Sequence, residues 1–115
     1  MSLYFEMRPW GMFQNLLDTD YCKVKRIAVN PDQRLSYQYH HKRSEVWTIV
    51  KGSGLMTLDD FEFKVSEGDV IEIPVKKKHR IQNNGEDELI FIEVQHGSYF
   101  GEDDIVRLQD DYKRE

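Results

Sequence analysis

The sequence predicts an all-β domain of the jelly-roll barrel or sandwich type, and three observations carry that prediction. Apolar and polar residues alternate with a period of two in short segments along most of the chain, as strands with one buried face require. Clusters of turn-forming residues separate those segments at close spacing. A chain of 115 residues is long enough for one hydrophobic core and too short for two. A single domain over 1–115 is therefore expected, with the barrel at about residues 21–97 and an N-terminal arm and C-terminal tail outside it.

The elements follow in order. Residues 21–29 (Tyr-Cys-Lys-Val-Lys-Arg-Ile-Ala-Val) read as a strand that stops at Asn30-Pro31-Asp32, where proline presets φ and aspartate tolerates a left-handed position. Further strands are expected over 35–40, 45–51, 54–58, 61–65, 69–74, 79–82 and 88–95. Their separators are Lys51-Gly52-Ser53-Gly54, Asp59-Asp60, Ser66-Glu67-Gly68-Asp69 and Asn83-Asn84-Gly85-Glu86-Asp87. The first twenty residues and the last eighteen are less patterned and are expected to cap or extend the barrel. No internal repeat or low-complexity tract interrupts the pattern.

Composition narrows the function. With 39% hydrophobic and 32% charged residues the chain is ordinary for a soluble globular protein. A net charge of −5 argues against a nucleic-acid surface, which needs clustered Lys and Arg, so a small-molecule partner is expected. The lone Cys22 cannot form an internal disulfide, no segment has membrane-spanning length, and Glu6 interrupts the apolar N-terminus where a signal peptide would be continuous. A cytoplasmic protein without membrane or nucleic-acid partners is the expectation.

The chemistry-bearing residues lie in two segments. Gln38 and His40 are two apart on one strand and share a face, Glu45 opens the next strand after a short turn, and His79 begins a later one. An amide oxygen, two imidazoles and a carboxylate suit a divalent ion, with zinc, manganese, cobalt, iron and nickel all open and geometry left to choose among them. The competing reading makes His40 and His41 surface residues of a turn and pairs Glu45 with a lysine. Alternation turns His41 away from the Gln38 and His40 face, so it is left out of the ligand set.

The spacing resembles the cupin superfamily, a double-stranded β-helix barrel. Its first motif (Gly, five residues, His-x-His, three or four residues, Glu, six residues, Gly) is matched in register by Asp32, Gln38-x-His40, Glu45 and Gly52. Its second (Gly, five residues, Pro-x-Gly, two residues, His, three residues, Asn) is matched by Gly68, Pro74, Lys76, His79 and Asn83. Turn glycines are absent at Asp32 and Lys76. Within the superfamily, Arg8-Pro9-Trp10-Gly11, Lys23-Val24-Lys25-Arg26, Leu35-Ser36-Tyr37-Gln38, Arg43-Ser44-Glu45, Glu93-Val94-Gln95 and Gly101-Glu102-Asp103-Asp104-Ile105-Val106-Arg107 look like the type II mannose-6-phosphate isomerase family. That domain often forms the C-terminal part of enzymes joined to mannose-1-phosphate guanylyltransferase. The Gln38-x-His40 pair also resembles the zinc site of type I phosphomannose isomerases.

The resemblance implies a metal-dependent aldose–ketose isomerase that interconverts mannose 6-phosphate and fructose 6-phosphate through an enediolate. Glu93 is the candidate base, by similarity to a glutamate on the corresponding strand of type I enzymes, and Gln95 shares its face. Lys25, on the face of Ile27 and Val29, resembles an active-site lysine. Arg43 occupies a basic position also seen in the type I enzymes. Arg107 resembles an arginine in a similar Asp-Asn-Val-Val-Arg context. Lys25, Arg43, Gln95 and Arg107 are thus candidate substrate contacts, against the simpler readings that Glu93 is a rim carboxylate, that Lys25 and Arg43 snorkel to solvent, and that Arg107 pairs with Asp103 or Asp104.

Lys76-Lys77-Lys78 reads either as an attractor for an anionic substrate or as a solvated turn. Trp10 and Trp47 read as packing residues, with Trp47 also placed to line a pocket. Where type II isomerases commonly read His-His-His-Arg-Ser/Ala-Glu-His-Trp, this chain has Lys42 and Val46. Two other readings stay open: a metallocupin with another reaction, such as dioxygenation, and a non-catalytic sugar- or nucleotide-sugar-binding module. A homodimer is the expected assembly, because cupins commonly pair through sheet edges.

Overall fold

The structure, a computed structural model, describes residues 4–112. Among these residues eleven strands form two sheets: β1 (Phe5–Arg8), β2 (Gly11–Asp18), β3 (Cys22–Val29), β4 (Tyr37–His40), β5 (Arg43–Lys51), β6 (Ser53–Leu58), β7 (Phe61–Ser66), β8 (Val70–Ile73), β9 (His79–Gln82), β10 (Leu89–Gly97) and β11 (Ile105–Gln109), with a 3-10 turn at Glu102–Asp104. One sheet has the order β1-β2-β3-β10-β5-β8 and the other β11-β4-β9-β6-β7. Every pairing within them is antiparallel. This is the cupin architecture. Among the described residues no helix is long and apolar enough to cross a membrane.

The eight expected strands are present within two residues of their expected ends. The structure adds β1, β2 and β11. Alternation in β2 is broken by a register shift between Asn15 and Leu17, and β11 carries another between Arg107 and Gln109. A bulge puts two residues opposite one and erases the period-two signal. The turn between β4 and β5 is also tighter than expected, because β5 opens at Arg43, two residues before Glu45.

Register explains where the core stops and the site starts. On the inner face of the six-stranded sheet, Val29 and Leu89 lie opposite one another, and the next inner row across β2, β3, β10 and β5 is Phe13, Ile27, Phe91 and Ile49. All six are buried, and each large side chain there contributes roughly 1.5–3 kcal/mol by leaving water. Two residues further along the same strands, the row becomes Lys25, Glu93 and Trp47, and the row beyond it Gln95 and Glu45. The sequence thus builds an apolar barrel floor and sets charged groups above it on the same inward face.

The turns that hold these strands keep their geometry without the superfamily glycines. Asp32 and Lys76 adopt φ of 65° and 69°, the left-handed values glycine reaches without steric cost. Asp59 and Asp60, with φ of 47° and 70°, form the two-residue hairpin loop between β6 and β7, as a turn with both central φ values positive requires. At Gly52 the glycine is retained, with φ of 81°, and a Cβ there would stand 2.7 Å from the Glu88 carbonyl oxygen.

Candidate metal centre and adjoining pocket

The donor set draws on both sheets. Arg107, Gln38 and His79 are consecutive partners across β11, β4 and β9, so the three side chains share a face. His40 ends β4 on that same face, and Glu45 comes from β5 in the other sheet. The two-residue turn at His41 and Lys42 is fixed by Asp104, whose carboxylate accepts from the backbone N–H of both, at 3.2 and 3.0 Å. His40, Glu45 and His79 are buried to 2% exposure or less, and one ligand atom from each lies within 4.8 Å of the others.

Hydrogen bonds fix the tautomers. The carbonyl of Lys77 can only accept, so His79 donates from Nδ1 at 2.9 Å and presents a lone pair at Nε2. That Nε2 is buried with no hydrogen-bond partner, 3.8 Å from Glu45 Oε1. The Arg43 guanidinium can only donate, so His40 Nε2 accepts from it at 2.8 Å, while His40 Nδ1 lies 3.5 Å from Glu45 Oε2. Glu45 accepts from Arg43 Nε at 2.9 Å and from the Trp47 indole N–H at 2.9 Å.

Burial, reinforced by the Arg43 charge and opposed by Glu45, pushes the His40 imidazole down to about 4. Burial likewise lowers His79. For Glu45, burial opposes ionisation, but the positive charge that His79, Arg43 and His40 present outweighs it and holds the carboxyl down at about 2. With both imidazoles neutral near pH 7, Arg43 is the standing counter-charge. Two neutral imidazoles, one carboxylate and a nearby amide are the donors a first-row divalent ion takes, and the unpartnered Nε2 of His79 is ready for one. The residues fit a metal ion.

Beside this cluster an open pocket with an empty volume of about 530 Å³ is lined by Gln38, Arg43, Glu93, Lys25 and Arg107. Gln38 Oε1 accepts from Ser36 Oγ at 3.3 Å. Glu93, buried to 5% exposure, is pushed up to about 8, first by burial and then by the Glu45 charge, against the pull of Lys25 and Arg43. It accepts a hydrogen bond from Gln95 Nε2, and Gln95 Oε1 is buried without a hydrogen-bond partner. Lys25 is buried, reaches Glu102 Oε1 at 3.2 Å and lies over the Phe13 ring at 4.3 Å. Asp103 accepts from the Tyr99 hydroxyl, and Asp104 accepts from the backbone N–H groups of the β4–β5 turn.

The structure brings all the expected site residues to one end of the barrel, with Gln95 against Glu93 and the rest at the ligand cluster or lining the pocket. It leaves His41 exposed. Of the lysine run, Lys77 and Lys78 face Asp59 and Asp60, at 3.9 and 2.8 Å. Trp10 packs and also lines the pocket, whereas Trp47 packs against Phe91 and positions Glu45. Sequence reasoning missed Arg8, Ser36 and Glu102 as pocket residues. All three stand in the quoted family-like segments, which was the available signal. Lys42 and Val46, where the chain departs from the common pattern, are exposed.

Comparison with known proteins agrees with this fold. A family model described as "Mannose-6-phosphate isomerase C-terminal" matches residues 4–110. Alginate biosynthesis protein AlgA of Pseudomonas aeruginosa is 46% identical over 93% of this chain and 22% of its own length. A mannose-1-phosphate guanylyltransferase of Klebsiella pneumoniae is 40% identical over 93% of the chain and 23% of its own length. The chain thus spans less than a quarter of these relatives. Among solved structures, the capsular polysaccharide assembling protein CapF of Staphylococcus aureus superposes with a TM-score of 0.84 at 23% identity, over 95% of this chain and 33% of that one. A double-stranded β-helix protein of Klebsiella pneumoniae gives 0.74 at 19%, over 82% and 80%. These two similarities bear on the fold alone.

Proposed function

The chain belongs to the mannose-6-phosphate isomerase C-terminal family, and from that premise we propose that it catalyses the interconversion of mannose 6-phosphate and fructose 6-phosphate at the pocket beside His40, Glu45 and His79. The observation that carries the reading is a buried carboxyl, Glu93, pushed up to about 8 and lining one pocket with Lys25, Arg43 and Arg107, next to a buried mixed nitrogen and oxygen donor set. A base that works near neutrality wants that pKa, and an anionic sugar wants those cations.

In this reading Glu93 takes the proton from C2 of the aldose. The C–H electron pair becomes the C1–C2 double bond and the carbonyl electrons move to O1. The hydroxyl proton passes from O2 to O1, and Glu93 returns its proton to C1, which leaves the ketose carbonyl at C2. Lys25 and Arg107 offset the enediolate and phosphate charge, and Gln95 orients Glu93 through its amide N–H. Gln38, His40, Glu45 and His79 would hold a divalent ion, zinc first, which supplies Lewis acidity at the substrate oxygens when bound. Lys42 and Val46 are exposed and absent from the pocket lining, so the two departures leave the pocket itself unchanged.

The test is a coupled assay of fructose 6-phosphate formation from mannose 6-phosphate, on chelator-stripped protein reloaded with zinc, cobalt, manganese or iron. Metal-dependent turnover that falls by at least about a hundredfold in Glu93→Gln is expected. Turnover that is absent with every metal, or unchanged in Gln38→Ala and His40→Ala, refutes the reading.

A further inference from the structure

Arg43 does more at this site than line a wall. Its side chain is buried and engages two proposed ligands at once, with Nη2 at 2.8 Å from His40 Nε2 and Nε at 2.9 Å from Glu45 Oε2. A guanidinium has donors only, so it occupies the imidazole lone pair and one carboxylate oxygen that a metal ion would use. It also carries positive charge into the position where a divalent ion would bring its own. The remaining arm, Nη1, reaches the Phe100 carbonyl at 3.3 Å, and the side chain borders the pocket that also holds Lys25, Arg107 and Arg8.

We propose that Arg43 is a displaceable internal cation that couples metal binding to anion binding. A metal ion entering at His40 and Glu45 drives the guanidinium off them and toward the pocket, and an anion held in the pocket draws it the same way. Each ligand therefore removes the other's competitor. Linkage makes the effect reciprocal: an anion that tightens metal binding is itself bound more tightly, by the same factor, when the metal is present. A coupling of about tenfold is expected, within the roughly 5- to 150-fold span usual for such effects. The proposal rests on His40, Glu45 and His79 as metal ligands and not on the isomerase reaction.

The experiment is a cobalt(II) titration of the full chain, followed by visible absorption, in chloride and in inorganic phosphate at equal ionic strength. Phosphate should tighten cobalt binding to the unaltered protein by about tenfold. Arg43→Gln should bind cobalt more tightly than the unaltered protein and lose the phosphate effect. Arg43→Lys, which keeps the charge without the fork, should show a reduced phosphate effect, and it serves if the glutamine variant fails to fold. A phosphate effect that persists in both variants means the anion bridges directly to the metal, and overturns the proposal. So does metal affinity that is unchanged or weakened in Arg43→Gln, or no phosphate effect in the unaltered protein. Cobalt uptake by none of the three proteins overturns the ligand assignment itself.

Discussion

Glu93 lies between Lys25 on β3 and Trp47 on β5 as the inner-face partner of both, and its carboxyl titrates at about 8 because burial and the Glu45 charge favour the protonated form. A carboxyl raised in this way binds more protons folded than unfolded between its ordinary value of 4.5 and about 8. Its contribution to stability is full below the unfolded value and is lost as pH rises through the folded one. Glu93→Gln removes that dependence. From pH 5 to pH 8.5 the unaltered protein should lose stability relative to the variant, by an amount on the order of 1–4 kcal/mol, read as melting temperatures across a pH series. Parallel profiles for the two proteins would rule out a raised Glu93. Alternation along 88–95 placed Glu93 and Gln95 on one face from sequence alone. Its depth was not legible, because a charged residue two positions from Phe91 reads equally well as the rim of a barrel or as its interior.

At the scale of elements, the sequence is most legible where alternation runs over several residues, as over 43–49 in β5 and 91–96 in β10, on either side of the register shift between Ile90 and Phe91, and least where a bulge or a short hairpin leaves no such run, as in β1, β2 and β11. Arg8 is one consequence: it comes from the four-residue β1, which no periodicity announced. The turns show the opposite behaviour. The register of the two superfamily motifs located Asp32 and Lys76 at glycine positions, and the backbone keeps left-handed φ at both, so conformational strain replaces a change of turn. Left-handed geometry costs an L-residue about 1 kcal/mol, and aspartate tolerates it better than lysine. Lys76→Gly should therefore raise stability by about 1 kcal/mol in urea unfolding, and Asp32→Gly by less. A destabilised Lys76→Gly would mean that the side chain, not the backbone, sets this turn.

At the scale of the whole molecule, the site joins the two sheets: Glu45 comes from one, and His40 and His79 from the other. The strands could be read from the sequence, but their order in the sheets could not, because antiparallel pairing between distant strands leaves no local pattern. Their donor chemistry and the resemblance, not any local pattern, brought residues 38–45 and 79 together beforehand. Acid should separate them. His40 and His79 are buried neutral, with folded values below the ordinary 6.5. Their contribution is present above pH 6.5 and is lost as pH falls toward about 4, where the folded His40 takes up its proton. Chelator-treated protein should lose thermal stability across that window, and His40→Gln should flatten the loss. An unaltered slope in the variant would show that other groups govern acid unfolding.

Trp47 stacks on Phe91 with ring centroids 4.3 Å apart, stands edge-on to His79 at 5.7 Å and donates its indole N–H to Glu45. The sequence holds one other tryptophan, Trp10, which lines the neighbouring pocket. Tryptophan fluorescence of this protein therefore originates beside the His40, Glu45 and His79 cluster and at the neighbouring pocket. The ligand cluster and the pocket each carry their own chromophore, so occupancy of either can be followed optically without attaching a label.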